Sequence, residues 1–330
     1  MGEVVQWNDV VKQGGVSAPD FGNARAQYAA ARSGAIVTPL NGFELLRFQG
    51  ADAKAFLQGQ LTCDLDAVTI EQAQFGGHCN PKGRLLANFV LLASAADYLM
   101  LLPGDIAGDL ANRLRKYVLR SRVSIEPERE RGMLGIAGPQ ALSLLADRNA
   151  APPPGRMAVC VVADTSVIRL PDDQFVVIGL AEDLSALWDA LAKRAMPAAV
   201  QCWTRLQIEA RVPWITQATR EQFLPQMIGL DEIGGVSFDK GCFPGQEIVA
   251  RTRYLGEVKR TLRLGHTQRD VWAGDPLFSL GQQTGTVLNA APVPDTGSAL
   301  LAVMSAQSDT EQTRTADGQS IVWSAAVKRD

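Results

Sequence analysis

The run Asp239-Lys240-Gly241-Cys242-Phe243-Pro244-Gly245-Gln246-Glu247-Ile248-Val249-Ala250-Arg251 holds the residues best suited to chemistry. A thiol acts as nucleophile or metal ligand only as thiolate, and a nearby cation and a helix N-terminus both favour that form. Lys240 stands two positions before the cysteine, and the residues after Gly245 read as a helix start. Gly241 and Gly245 permit backbone angles that other residues avoid, and Pro244 fixes one dihedral and removes a donor. Gln246 and Glu247 bring acceptors to the first turn. Cys242 and Lys240 are therefore the candidate catalytic residues. The plain alternative is a small buried residue in a tight turn, the usual state of free cysteine. The density of special-geometry residues around one sulfur argues against it.

Weaker segments accompany this one. Asn80-Pro81-Lys82-Gly83-Arg84 reads as a turn with two cations ahead of a strand, which turn chemistry alone explains. Arg205-Leu-Gln-Ile-Glu209-Ala-Arg211 puts Arg205 and Glu209 four apart, on one face of a helix, where a surface ion pair is the bland reading. Leu57–Asp64 reads as a helix end plus a turn. Arg113, Arg115, Lys116, Arg120 and Arg122 form one basic cluster, and Arg251, Arg253, Lys259 and Arg260 another. Such runs are usually solvated faces, and no interleaved aromatics support RNA contact.

Lys-Gly-Cys-(aromatic)-X-Gly-Gln-Glu resembles the signature of the YgfZ-type folate-binding proteins, relatives of the glycine-cleavage T-protein (aminomethyltransferase). Leu57–Asp64, Asn80–Arg84 and Phe223-Leu-Pro-Gln226-Met227 resemble further segments of that family. The resemblance implies tetrahydrofolate as the cofactor and a role in iron–sulfur cluster assembly or repair, with cluster client or assembly proteins as partners and a link to tRNA modification. Within an Arg-x-x-x-Glu-x-Gly segment, Glu209 falls on the glutamate that holds the pterin, while Arg211 stands where glycine is usual. The resemblance assigns Arg205, Gln226, Lys82, Arg84, Asn88, Gln246 and Arg251 to the same folate site, with Lys82 and Arg84 suited to a glutamate tail. Where the T-protein enzymes carry an Asp pair, this chain has Ala87 and Asn88, neither able to act as a carboxylate base. An accessory protein acting through Cys242 is thus expected over the alternative, a folate-dependent aminomethyl transferase. Whether the chain is an enzyme is left open.

Composition sets the outer limits. The chain has 330 residues, 46% hydrophobic and 20% charged, with a formal net charge of −3. A chain of this size buries about 75% of its unfolded surface. The slight negative charge gives no bulk attraction to nucleic acid or anionic membranes. Five cysteines, none in a C-x-x-C pair, suit a reducing compartment better than a disulfide framework. With two histidines, a dedicated zinc site is not expected. Met1–Gly14 does not read as a signal peptide, and no run approaches the roughly 18 apolar residues of a membrane span. A cytoplasmic location is expected, with no membrane partner.

The pattern predicts an α+β fold. Residues 1–33 read as a partly ordered lead-in. Strands are expected at Ala35–Val37, Glu44–Phe48, Leu85–Ala93 and Asp97–Leu102, with helices from Ala53 (Asp52 as N-cap) and over Ile106–Leu119, whose apolar face is Ile106, Leu110, Leu114 and Tyr117–Val118. The order then repeats: Gly132–Pro139, Gln140–Leu145, Thr165–Leu170, Gln174–Gly179 and Asp183–Ala195, with Gly50 answering Gly138 and Gly104 answering Gly179. Ala151–Gly155 reads as a loop. After Arg251, short apolar runs between Gly, Asp, Pro and Ser clusters predict a small barrel. The expected domains are residues 1–128 and 129–250, two pseudo-repeated α+β lobes with mainly antiparallel sheets that may interleave, and 251–330, a C-terminal β-barrel. The resemblance implies three lobes around a central cavity.

Overall fold

The computed structural model describes residues 21–95, 97–146, 153–254, 256, 258–308 and 311–325. The readings of residues 1–20 and of the first two residues of the 151–155 loop lie outside these. In chain order the elements begin with α1 (Ala24–Ser33), β1 (Ile36–Pro39), β2 (Phe43–Gln49), α2 (Ala53–Gln58), β3 (Gln74–Cys79), β4 (Leu85–Ser94), β5 (Asp97–Pro103), α3 (Gly104–Val118) and β6 (Ser124–Pro127). They continue with β7 (Arg131–Ala137), α4 (Ala141–Ala146), β8 (Val159–Val162), β9 (Thr165–Leu170), β10 (Gln174–Leu180), α5 (Ala181–Leu191), β11 (Met196–Pro197) and α6 (Val200–Glu209). The remainder is α7 (Gln246–Tyr254), β12 (Arg260–Thr267), β13 (Pro276–Ser279), β14 (Gln282–Val293), β15 (Gly297–Ser305) and β16 (Ile321–Trp323). The class is mixed α+β with mainly antiparallel sheets, as the pattern predicts.

The chain divides into two compact units, each discontinuous in sequence: Met1–Phe43, Ile70–Ala73 and Glu128–Leu206 in the first, and Glu44–Thr69, Gln74–Pro127 and Gln207–Asp330 in the second. The first unit carries a six-stranded sheet in the order β11-β1-β7-β10-β9-β8. Its β1–β11 pair is parallel, and the other pairs are antiparallel. Its core gathers Val37, Leu134, Ile136, Phe175 and Val177 with Leu184, Trp188 and Leu191 from α5. Of the lead-in, residues 24–33 form α1, which Asn23 caps by accepting from the Ala26 N–H at 3.1 Å.

The second unit contains a five-stranded sheet, β3-β4-β5-β2-β6, and a second five-stranded sheet, β13-β14-β15-β12-β16. Strand β4 is buried along Leu85–Leu92, which is why it reads as a near-continuous apolar run. Helix α3 buries Ile106, Ala107, Leu110, Ala111 and Leu114, whereas Tyr117, expected on that face, is exposed. The second sheet curls into a barrel. Arg314 exchanges two backbone hydrogen bonds with Phe278 of β13 (2.8 and 2.9 Å) and bridges Ser320, which leads into β16. Val271, Leu277, Val287, Leu300, Ala302, Met304 and Ile321 fill its core.

The repeat is real in topology: the order β3-β4-β5-β2 in one sheet matches β8-β9-β10-β7 in the other. Gly50 and Gly138 each sit at a strand-to-helix turn with positive φ, +122° and +110°. A side chain on either would strike backbone, Arg122 O at 2.1 Å or Gly34 O at 2.6 Å, so glycine is required at both. The second expected pair does not hold. Gly104 opens α3, while Gly179 lies inside β10, two residues before α5 begins at Ala181. Asp52 also differs from expectation. It sits before α2 but makes no capping bond; its carboxylate accepts from Arg122 N at 2.8 Å, and the Arg122 guanidinium holds it below the usual carboxylate range.

Candidate functional site

Three of the segments singled out in the sequence meet in the second unit. The first junction is Lys240. Its side chain is buried, and its ammonium donates to three backbone carbonyls: Gln58 O and Leu61 O at 2.7 Å and Cys63 O at 2.8 Å. An ammonium has three N–H donors, so all are used and none is left for the Cys242 sulfur. Burial pulls the Lys240 pKa below its ordinary value, while Cys63 and Asp64 act in the opposite sense. The loop around it is closed by its own side chains. Gln58 donates to Asp64 Oδ1 at 2.9 Å and accepts from Leu65 N at 2.8 Å. Thr62 accepts from Gly77 N at 2.8 Å and donates to Gly235 O at 2.6 Å. Leu57–Asp64 is thus a bracket that grips the lysine of the cysteine segment.

The second junction is Gly245, with φ +80°. A Cβ there would lie 2.4 Å from Asn80 O and 2.6 Å from Gly83 Cα. The Asn80–Arg84 turn therefore rests directly on the backbone that opens α7. Asn80 organises that turn, its Oδ1 accepting from Lys82 N at 2.9 Å and Arg84 N at 3.1 Å. The Lys82 side chain is exposed, and the Arg84 guanidinium donates to Gln222 O.

Between these pins Cys242 is exposed, flanked by exposed Gly241 and buried Phe243. It is the one exposed cysteine among the five. Cys63, Cys79 and Cys202 are buried and Cys160 is intermediate. Burial pushes the Cys63 and Cys79 thiols up to about 12, so neither competes as thiolate near neutrality. Gln246 is half-buried at the start of α7, and Arg251 is exposed further along it. Among the described residues, no group of three or more His, Cys, Asp or Glu side chains is placed to hold a metal ion.

The remaining predicted residues are spread over other surroundings. Asn88 is fully buried, and its amide donates to Pro213 O at 2.8 Å and accepts from Ile215 N at 2.6 Å. Asn289 treats the residue between in the same way, accepting from Trp214 N at 2.9 Å and donating to Trp214 O at 2.8 Å. Two asparagines thus hold Pro213–Ile215 from both sides. Sequence reading had no signal for Asn289, because its partner lies 75 residues away. Arg205 is buried, its guanidinium 3.1 Å from the Tyr28 ring centroid. Glu209 is half-buried at the last turn of α6.

The helix end beyond Glu209 explains the usual glycine. Arg211 N donates to Ile208 O at 2.9 Å and Val212 N to Gln207 O at 2.8 Å, the paired bonds of a Schellman turn with residue 211 at the left-handed position. Arg211 takes that position at φ +55°. Its guanidinium donates to Ala325 O at 2.8 Å and lines a cavity of about 400 Å³ with Gln226, Asp231, Arg253, Thr261 and Arg263. Of the predicted folate residues, only Gln226 is among those lining this cavity.

His78 supplies a prediction about stability. It is buried, with Nδ1 2.9 Å from Gln60 O and Nε2 without a partner. Burial lowers its pKa from 6.5 to about 4. The unfolded chain takes up this proton as pH falls through 6.5, the folded chain only near 4. The neutral imidazole's contribution is thus fully present above 6.5 and is lost between 6.5 and 4, amounting to about 3 kcal/mol. Urea unfolding of His78→Gln across that range should show a flatter dependence on pH than the parent, and equal slopes would refute the assignment.

Comparison with known proteins fixes the class. Residues 1–152 match the GCVT N-terminal domain family. The fold is shared with the crystal structure of glycine cleavage system aminomethyltransferase T from Bartonella henselae, at a TM-score of 0.73 and 17% identity over 94% of this chain and 90% of that one. The nearer relatives are tRNA-modifying proteins YgfZ. That of Yersinia pestis (strain Pestoides F) is 34% identical over 280 residues, covering 82% of this chain and 85% of its own length. That of Escherichia coli (strain SMS-3-5 / SECEC) is 33% identical over 279 residues, covering 82% and 86%. The chain belongs to the YgfZ family.

Proposed function

We propose that this chain is a tetrahydrofolate-binding accessory protein that serves iron–sulfur cluster assembly or repair through Cys242, with cluster-dependent tRNA-modifying enzymes as its clients. The observation that carries the reading is the contrast at residue 242. The segments before and after it are pinned at Lys240 and Gly245, while the thiol itself is exposed. A soft thiolate held this way suits transient ligation of iron or exchange with a partner's thiol. One sulfur does not hold a cluster, so a partner protein supplies the other ligands.

Two of the expected donors suit folate by their chemistry. The Glu209 carboxylate can accept two parallel N–H bonds from an aminopyrimidine edge, and the exposed Lys82 ammonium suits a glutamate tail. Folate, when bound, supplies a one-carbon carrier. Ala87 and Asn88 offer no carboxylate for aminomethyl transfer, and the Asn88 amide is bonded to the 213–215 backbone on both sides. This weighs against the transferase alternative, which would require turnover of an aminomethyl donor to methylene-folate.

In cells lacking the protein, Cys242→Ser is expected to leave the activity of cluster-dependent tRNA-modifying enzymes unrestored, while the purified variant keeps the parent's folate affinity. Full restoration by Cys242→Ser would overturn the role of the thiol. Absence of folate binding in the parent would overturn the cofactor.

A further inference from the structure

Residue 211 occupies a backbone position made for glycine. In the left-handed region a side chain costs roughly 1 kcal/mol or more relative to glycine. A strained residue that persists points to a use for its side chain. Here the side chain goes to the wall of the 400 Å³ cavity, a volume within the roughly 300–1,000 Å³ typical of small-molecule sites.

The cavity has the makings of a polar binding site. Arg211, Arg253 and Arg263 bring three guanidinium groups, against the carboxylates of Asp231 and Glu232. Guanidinium forks match the oxygens of phosphate. Gln226 is 6% exposed, and its Nε2 donates to Val249 O at 2.7 Å, but its Oε1 is buried with no partner. Thr261 Oγ1 is likewise buried without one. A buried acceptor left unpaired costs about 1–3 kcal/mol, so a ligand N–H placed there is favoured. Val258, Leu262 and Leu264 add an apolar wall for a flat ring. Asp231 is partly buried, and desolvation raises its carboxyl pKa despite Arg253 nearby.

We propose that this cavity is a second ligand site that binds a mononucleotide, its phosphate held by Arg211 with Arg253 and Arg263 and an amino group of its base donating to Gln226. Glu209, Lys82 and Cys242 are not among the residues that line this cavity, and the proposal does not depend on folate binding.

Arg211→Gly is an unusually clean test, since it restores the residue the backbone prefers while removing the guanidinium. Isothermal titration of the full chain with adenosine 5′-monophosphate should give saturable binding, stronger than for adenosine or inorganic phosphate alone. Arg211→Gly should melt within a few degrees of the parent, the relieved backbone offsetting the lost bond to Ala325 O, yet bind about tenfold or more weakly, as expected for loss of a charge-assisted hydrogen bond. Arg253→Gln should weaken binding in the same direction. No saturable binding by the parent, unchanged affinity in both variants, or competition by tetrahydrofolate for the same site would each overturn the proposal.

Discussion

Lys240→Met should lower the unfolding free energy by about 3–5 kcal/mol, because three backbone carbonyls, those of Leu61 and Cys63 buried and that of Gln58 half-buried, lose their shared donor at once. The methionine stem replaces most of the lysine's apolar packing, so the loss reports the ammonium. Gln58, Leu61 and Cys63 have their carbonyls gathered around the one ammonium. Lys240→Arg should recover little, since a planar fork does not place three N–H bonds around a single centre as an ammonium does. Urea unfolding followed by circular dichroism measures both. A methionine variant as stable as the parent would show that the bracket does not depend on the lysine.

Gly245→Ala is expected to cost a similar amount, about 3–5 kcal/mol, from two additive sources. The residue lies at φ +80°, where a Cβ is strained, and the new methyl would stand 2.4 Å from Asn80 O, a backbone atom that cannot swing aside. Relief would require the Asn80–Arg84 turn to lift away from α7. A companion change at Gly241, where a Cβ meets nothing within 4 Å, should be nearly neutral. If the two alanine variants unfold at the same urea concentration, the contact between the two turns is not what holds the cysteine segment.

Much of the fold was legible because it follows local rules. The apolar run of β4, the amphipathic α3 and the short barrel strands carry their own periodicity, and Gly50 and Gly138 mark equivalent turns in both halves of the repeat. What the sequence did not disclose was partnership. Asp52 has the right type and place for a cap, but Arg122, 70 residues on, takes its carboxylate. Asn88 stands where the T-protein enzymes carry an aspartate and was expected at the folate, yet its hydrogen bonds go to Pro213 and Ile215. Lys240 looked like a cation for the neighbouring thiol, yet its bonds lie 177 to 182 residues away. The cysteine segment stood out in the sequence through its concentration of glycine, proline and charge. The cavity beside Arg211 did not, because β12, the turn at Gln226 and the chain near Ser324 are joined only in three dimensions.

The barrel closes through the Phe278–Arg314 bridge and the Arg314–Ser320 bridge beside it. A seam so narrow is the weakest line in that sheet. Breathing there would transiently bare the rims of β13 and β16 while β14, β15 and β12 stay zipped along their long ladders. Amide hydrogens of Phe278 and Arg314 would then trade with solvent deuterium well before those of β15, making the C-terminal sheet a hierarchy of openings and not one cooperative block.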